Sequence, residues 1–414
     1  MKVIILQKQI KTLICFALSF LTVISFASCG CESSQTSQST TTQAQTTQPN
    51  STQPQTTQPI IEATPDTPQN ELKVEYDYKK IKKNEEKIKN TLDYTIKNTN
   101  FKGTVYLKVG GNFEYIGTNG LADKDKHTNN SITTCYRIGS VTKQFTAVAI
   151  MMLQEQGKLS TEDTLDKYYP SYKYGKDIKI KNLLNMTAGL RDYLCYDGNV
   201  ASAFYGEDYL EYKISKDNSA KENKKSILNW ILKQELNFEV GSQFQFSNSS
   251  YYILGDIIEK ASGTSYETFI KDNIIKPLDL SSTGFKSTKA LAQSYQDIYD
   301  NEWTLYPGVG YSSVWLISDV PDLLVWAESV TDFSIISEDS FKEMTDPSNG
   351  RYGYGFFLED DGMEQKGKIE MFNSQMFYDS DLSVIFIALS NYTQSHPNKI
   401  YYKFRDVFEP YKIK

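Results

Sequence analysis

The chain has 414 residues, 39% of them hydrophobic and 23% charged, with a formal net charge of −7. That length and apolar content allow a sizeable buried core, while the acidic balance and the lack of a basic block argue against a nucleic-acid partner. The two histidines, His127 and His396, form no cluster at metal-ligand spacing, so neither a metal nor any other cofactor is expected.

The chain opens with Lys2, Lys8 and Lys11, followed by an apolar stretch over 12–27. The stretch has the length of a signal-peptide core and is short for a membrane span. It ends Phe26-Ala27-Ser28-Cys29, and small residues before a cysteine resemble a lipobox, although Phe26 stands where leucine is usual. Residues 1–28 therefore read as a signal peptide, with Cys29 lipidated as the mature N-terminus. Two alternatives are cleavage to a free secreted protein and retention as an uncleaved anchor. Residues 29–70 are almost all Ser, Thr, Gln and Pro beyond Cys31. Such a segment has too little apolar surface to offset its ordering entropy and reads as a disordered linker. As a flexible coil it spans on the order of 35 Å r.m.s.. The expected location is the outer face of the cell membrane, through the lipid, or the medium.

Residues 71–414 read as one domain. Ile81, Ile88, Leu92 and Ile96 recur at near-helical spacing in a lysine-rich stretch, predicting an amphipathic helix over 78–98. Residues 101–117 alternate about Gly110-Gly111, a hairpin signal. Cys135 and Cys195 are the two cysteines of this body, too few for a disulfide scaffold; a single bridge between them is left open. The stretch 140–345 reads as mostly helical with long loops. Strands return at 354–358, 370–378 and 382–389, and a closing helix follows from about Asn398. Strands at both ends with helices between predict an α/β (α+β) fold: one antiparallel sheet flanked by helices, plus a helical subdomain.

Residues 136–147, Tyr-Arg-Ile-Gly-Ser-Val-Thr-Lys-Gln-Phe-Thr-Ala, carry the most chemical information. Phe145, Val148, Ala149 and Met152 share one helical face and Gly157 is a stop signal. Ser140 then lies in the first turn of a buried helix, and Lys143, three residues on, shares its face. A serine hydroxyl is a weak nucleophile that needs an adjacent base. Lysine serves as that base when burial and the positive end of the helix lower its proton affinity. The Ser140 amide, at the same helix end, is a candidate oxyanion donor. A bare Ser-x-x-Lys also occurs by chance, as a helix-capping serine followed by a solvated lysine. The Arg-Ile-Gly prefix and the apolar helix behind it favour the chemical reading.

With these residues the chain resembles the serine β-lactamases and penicillin-binding proteins, in particular the class C β-lactamase and D-Ala-D-Ala carboxypeptidase branch. The resemblance spans about 75–410. It rests also on Leu183-Leu184-Asn185-Met186-Thr187-Ala188-Gly189-Leu190, on Leu254-Gly255-Asp256, Ser262-Gly263 and Lys276-Pro277-Leu278, and on Gly353-Tyr354-Gly355 and Leu389-Ser390-Asn391. It implies a monomeric serine hydrolase without cofactor. Ser140 would form an acyl-enzyme with Lys143 as base, on D-Ala-D-Ala-like peptides, β-lactams or small esters.

Two motifs depart from the family. Its Tyr-x-Asn is matched by Phe246-Ser247-Asn248. Asn248 keeps the amide that binds substrate, but phenylalanine carries no hydroxyl to shuttle a proton. The absent group is worth roughly 10²–10⁴-fold in rate. The Lys-Thr-Gly or His-x-Gly on the strand beside the site is matched by Gln365-Lys366-Gly367. Gly367 keeps the close backbone approach, while Gln365 offers a hydrogen bond without charge to a substrate carboxylate. Met371 occupies a position where the family has glycine and would crowd the site. The rival reading is a catalytically impaired member, a pseudoenzyme, that binds cell-wall peptide or a protein partner without turnover.

Overall fold

The computed structural model describes residues 75–413 apart from 112, 195–213, 288, 290, 294–304, 360–361 and 380–383. Six strands form the central sheet: β1 (Gly103–Val109), β2 (Phe113–Asn119), β3 (Phe357–Glu359), β4 (Gly362–Ile369), β5 (Phe372–Tyr378) and β6 (Val384–Ser390). Their order is β2-β1-β6-β5-β4-β3, antiparallel at every pairing. The hairpin from the start of the domain thus joins the meander from its end: Val109 pairs with Val384 and Gly103 with Ser390. Five helices position the site: α1 (Glu85–Asn98), α2 (Thr142–Glu155), α3 (Asn248–Ser262), α4 (Val320–Thr331) and α5 (Pro397–Phe408).

Successive side chains of the strands point to opposite faces of the sheet, and both faces are covered. Val105, Leu107, Phe386 and Ala388 face one side, where Ile88, Leu92 and Ile96 of α1 meet Ile400, Phe404 and Phe408 of α5. Spacings of four residues put each trio on one helical stripe. Tyr106, Ile385, Ile387 and Leu389 face the other side, into the larger core that holds α2 and α3. Helix α2 is buried nearly all round, as expected of a central core helix. Phe145 stacks on Trp326 of α4 with ring centroids 3.9 Å apart, and the Trp326 indole donates to Gln144 Oε1 at 3.0 Å.

The α+β class and the helical insertion between the two halves of the sheet agree with the sequence reading. Element ends differ. The helix expected over 78–98 is two, Tyr78–Lys83 and α1, broken at Asn84. There the side-chain amide donates to the Lys80 carbonyl at 2.8 Å, the competition with the backbone that makes asparagine a poor helix interior. The strand expected from 354 begins only at Phe357. Gly355 takes φ +101° and passes so close to α2 that a Cβ would lie 2.9 Å from Gln144 Cα, a path only glycine follows readily. The strand expected from 370 begins at Phe372, because Glu370, at φ +50°, turns the β4–β5 hairpin.

Cys29, the signal segment, the linker and Cys195 lie outside the described residues; Cys135 is buried with a free thiol. Among the described residues no helix is long and apolar enough to cross a membrane, and no group of His, Cys, Asp and Glu gathers to hold a metal ion.

Candidate active site

Ser140 lies in a single 3₁₀ turn, Gly139–Val141, that runs directly into α2. Helix α2 has no side-chain cap, and Lys143 has no solvent exposure at all. The capping serine with a solvated lysine is therefore not what this Ser-x-x-Lys forms.

The Lys143 amine meets three oxygens. Nζ lies 2.9 Å from Ser140 Oγ, 2.8 Å from Asn248 Oδ1 and 3.0 Å from the Ser313 carbonyl oxygen. The two carbonyl-type oxygens only accept, so they take two N–H groups whatever the charge on nitrogen. The third direction belongs to Ser140. An ammonium points an N–H along it; a free amine points its lone pair, and then the Ser140 hydroxyl is the donor. Nζ also lies 4.9 Å from the Phe246 ring centroid and 5.7 Å from that of Tyr251, within cation–π range.

Each partner is fixed by the fold. Asn248 is the first residue of α3. Its amide is oriented by Asp192, whose Oδ2 accepts from Asn248 Nδ2 at 3.0 Å and from the Asn248 backbone N–H at 3.2 Å. Because a carboxylate accepts only, Oδ1 of Asn248 is left facing Lys143. Asp192 Oδ1 accepts from the Leu194 N–H at 2.8 Å. Burial pushes the Asp192 carboxyl above its ordinary value, opposed by these hydrogen bonds and by the charge of Lys143. Ser313 is delivered by a segment pinned to α2 on both sides: Thr146 Oγ1 donates to the Ser312 carbonyl at 2.7 Å, and the Leu316 N–H donates to Thr142 Oγ1 at 3.1 Å.

The strand side of the site is equally close. A Cβ on Gly367 would run into the Ile138 carbonyl oxygen and Ser374 Oγ, so glycine lets β4 lie against the turn that carries Ser140. Ser374, paired with Gly367 across β4 and β5, donates to that Ile138 carbonyl at 2.7 Å. Arg137, three residues before Ser140, forms a 2.5 Å ion pair with Glu370 in the β4–β5 turn and lies 4.3 Å over the Trp315 ring. Burial raises the Glu370 carboxyl, and Arg137 opposes it.

Phe246 is half-buried, edge-on to Tyr352 and parallel to Phe357 at centroid distances of 6.2 and 6.4 Å. Gln365 is 1% exposed. Tyr352 donates to its Oε1 at 2.9 Å, and its Nε2 donates to the Lys366 carbonyl at 2.8 Å. Both ends of the amide are engaged inside the protein, so the N–H that the sequence suggested for a substrate carboxylate is already given to the Lys366 carbonyl. Met371 sits in the hairpin turn, where Thr393 Oγ1 donates to its sulfur at 2.8 Å. Tyr251, one turn beyond Asn248, is fully buried and donates to the Leu184 carbonyl at 2.8 Å, so its hydroxyl does not stand in for the one Phe246 lacks.

The structure thus gathers Ser140, Asn248 and Phe246 around the Lys143 amine and sets Gly367 against the turn that carries Ser140. Asp192 and the Ser313 carbonyl are the partners sequence reasoning missed. Asp192 follows the Leu183–Leu190 segment by two residues, a signal open to reading; a backbone carbonyl leaves none.

A family model described as Beta-lactamase matches residues 97–406. The chain is 28% identical to PbpX of Bacillus subtilis, named as a penicillin-binding protein, over 80% of this chain and 82% of that one. Among solved structures it is similar to a penicillin-binding protein from Bacillus halodurans, with TM-score 0.66 and 21% identity, covering 77% of this chain and 100% of that one. It is likewise similar to a D-amino acid amidase from Ochrobactrum anthropi, with TM-score 0.64 and 18% identity, covering 79% and 98%. Those structural likenesses speak for the fold; the match over most of the chain speaks for more, and this chain belongs to the beta-lactamase family of serine hydrolases.

Proposed function

We propose that this chain is an acyl-transferring serine hydrolase in which Ser140 Oγ attacks a carbonyl carbon and Lys143 takes its proton. The observation that carries this reading is the fully buried Lys143 amine, 2.9 Å from Ser140 Oγ, with Asn248 Oδ1 and the Ser313 carbonyl occupying its other directions. With the amine neutral, those two acceptors hold its N–H groups and aim the lone pair at the hydroxyl. Attack forms the C–O bond of a tetrahedral intermediate. Its collapse breaks the bond to the leaving amine or alcohol, which takes up a proton, and leaves an ester on Ser140. Water then splits the ester and restores the hydroxyl. The substrates are D-Ala-D-Ala-like peptides, β-lactams or small esters. Within that set the engaged Gln365 amide and the half-buried Phe246 and Phe357 rings favour small esters, whose leaving group carries no free carboxylate.

The rival, binding without turnover, is favoured by Phe246. The face of its ring is turned to an amine surrounded by three acceptors, a setting that satisfies an ammonium. Exposure to a fluorescent penicillin or a fluorophosphonate, followed by intact mass over time, separates the two. An adduct on Ser140 that forms and decays marks a hydrolase. An adduct that persists marks a site that acylates and stalls. No adduct with either probe class would sink the acyl-enzyme reading.

The missing hydroxyl gives a gain-of-function test. Phe246→Tyr adds one oxygen to a half-buried ring, so packing changes little. Turnover of a chromogenic β-lactam or thioester should rise by about ten-fold or more, part of the usual general acid–base contribution. Unchanged turnover in a folded variant whose Ser140 still labels would show that another step limits the site.

The site is further proposed to work outside the cell membrane, tethered through Cys29 and the 29–70 linker. Cys29→Ser should release the protein into the medium or leave its precursor uncleaved. Normal processing with unchanged membrane retention, read by fractionation and mass, would refute the lipid anchor.

A further inference from the structure

We infer that Asp192 is a positioning residue for the Ser140–Lys143 pair, holding the Asn248 amide oxygen against the lysine and setting its carboxylate one amide behind it. The inference rests on the acyl-enzyme reading above and concerns a residue outside the three motifs. Three hydrogen bonds converge on this one carboxylate: the Asn248 side-chain amide at 3.0 Å, the Asn248 backbone N–H at 3.2 Å and the Leu194 N–H at 2.8 Å. The first fixes which end of Asn248 faces Lys143. The second substitutes for the cap that α3 lacks, since its N-cap residue Ser247 makes no side-chain cap bond. Reversal of the Asn248 amide would set an N–H₂ group against the Lys143 amine and an oxygen against the carboxylate, two donors facing and two acceptors facing. Asp192 therefore holds Asn248 in one of its two orientations, the one that leaves the Lys143 lone pair for the Ser140 hydroxyl.

The charge has a separate consequence. Among the titratable side chains facing the amine, α3 supplies Tyr251, which burial holds well above its ordinary value and so neutral. The loop 191–194 supplies Asp192 and Tyr193. Tyr193 ends on the Val309 carbonyl and the Ser313 hydroxyl. The segment carrying Ser313 presents a backbone carbonyl. Asp192 is the acidic group of this set, one amide away from Lys143, and an opposite charge at that remove favours the protonated lysine. Acylation needs the neutral amine, so it should increase as pH rises through the lysine's titration. Removing the carboxylate's charge moves that limb to lower pH.

A purely structural capping role predicts no such movement, which makes the pH profile the deciding measurement. The rate constant for acylation of Ser140 by a fluorescent penicillin or a fluorophosphonate, whichever labels wild type, is followed by intact mass across pH in the full chain. Asp192→Asn keeps an oxygen for Asn248, turns an NH₂ toward the Leu194 N–H and removes the charge, and its alkaline-rising limb should shift downward by about half a pH unit or more. Asp192→Ala also frees the Asn248 amide and should acylate about ten-fold more slowly at the wild-type optimum. Asp192→Glu retains the charge but displaces it by a methylene, so its limb should stay while the rate falls; this variant decides the matter if Asp192→Asn does not fold. Folded variants that all follow the wild-type profile and rate overturn the role of Asp192 alone. A wild type that never labels overturns the acyl-enzyme reading beneath it.

Discussion

Ser140→Ala should abolish covalent labelling by a penicillin or fluorophosphonate probe while the domain stays folded. The Ser140 side chain makes its hydrogen bond with Lys143 Nζ, and the amine keeps Asn248 Oδ1 and the Ser313 carbonyl as acceptors. The lost bond is worth about 1 kcal/mol, and the turn itself is held from outside, by Ser374 on the Ile138 carbonyl and by the Arg137–Glu370 pair. Thermal unfolding should therefore shift by only a few degrees. The adduct mass, in contrast, should vanish. An adduct of equal yield on the Ala variant, mapped by peptide mass to another residue, would remove Ser140 from its role.

Lys143→Met should slow acylation by roughly 10²–10⁴-fold. Methionine is the informative replacement because Lys143 has no exposed surface. Alanine there would open a cavity costing about 2–4 kcal/mol and would confound chemistry with stability. The methionine still leaves Asn248 Oδ1 and the Ser313 carbonyl without their donor, about 1–3 kcal/mol for each unsatisfied group, so a lower Tm accompanies the lost rate. Neither Tyr251 nor Gln365 replaces the amine, since the first is bonded to Leu184 and the second to Tyr352. Single-turnover labelling near the wild-type rate in the folded Met variant would show that the base is elsewhere.

What the sequence made legible was whatever is written at short range. Ser140 and Lys143 are three residues apart, so the helical period alone puts them together. The alternation over 101–117 about Gly110-Gly111 marks the first hairpin, and the apolar run at 382–389 marks a later strand. The partners supplied from afar were not legible. Asp192 acts on Lys143 through Asn248 and Ser313 meets it directly, and no periodicity links them. The Arg137–Glu370 pair and the Tyr352–Gln365 bond are of the same kind. Gln365 is the instructive case. Its match to the third motif located it on the strand beside the site, yet whether its amide faces a substrate or a neighbour depends on Tyr352, thirteen residues before it. The break at Asn84 was missed for the opposite reason: the apolar spacing runs straight through it, and only the local bond from its side chain to Lys80 interrupts the helix.

The pairing of β1 with β6 carries a consequence for when this site exists at all. The strand that begins at Gly103 has its neighbour in the strand that ends at Ser390, and Gly367, which lies against the Ser140 turn, arrives on a hairpin belonging to the same late meander. A chain emerging from its N-terminus presents Ser140 and Lys143 early, but without a sheet behind them. Long-range antiparallel closure of this kind is slow and must wait for its last strand. The unfinished chain therefore holds Ser140 and Lys143 without the strand wall of the site, and its apolar hairpin remains unpaired along one edge until the final strand is available. The close approach of β4 to the Ser140 turn is made only once the late meander is in place.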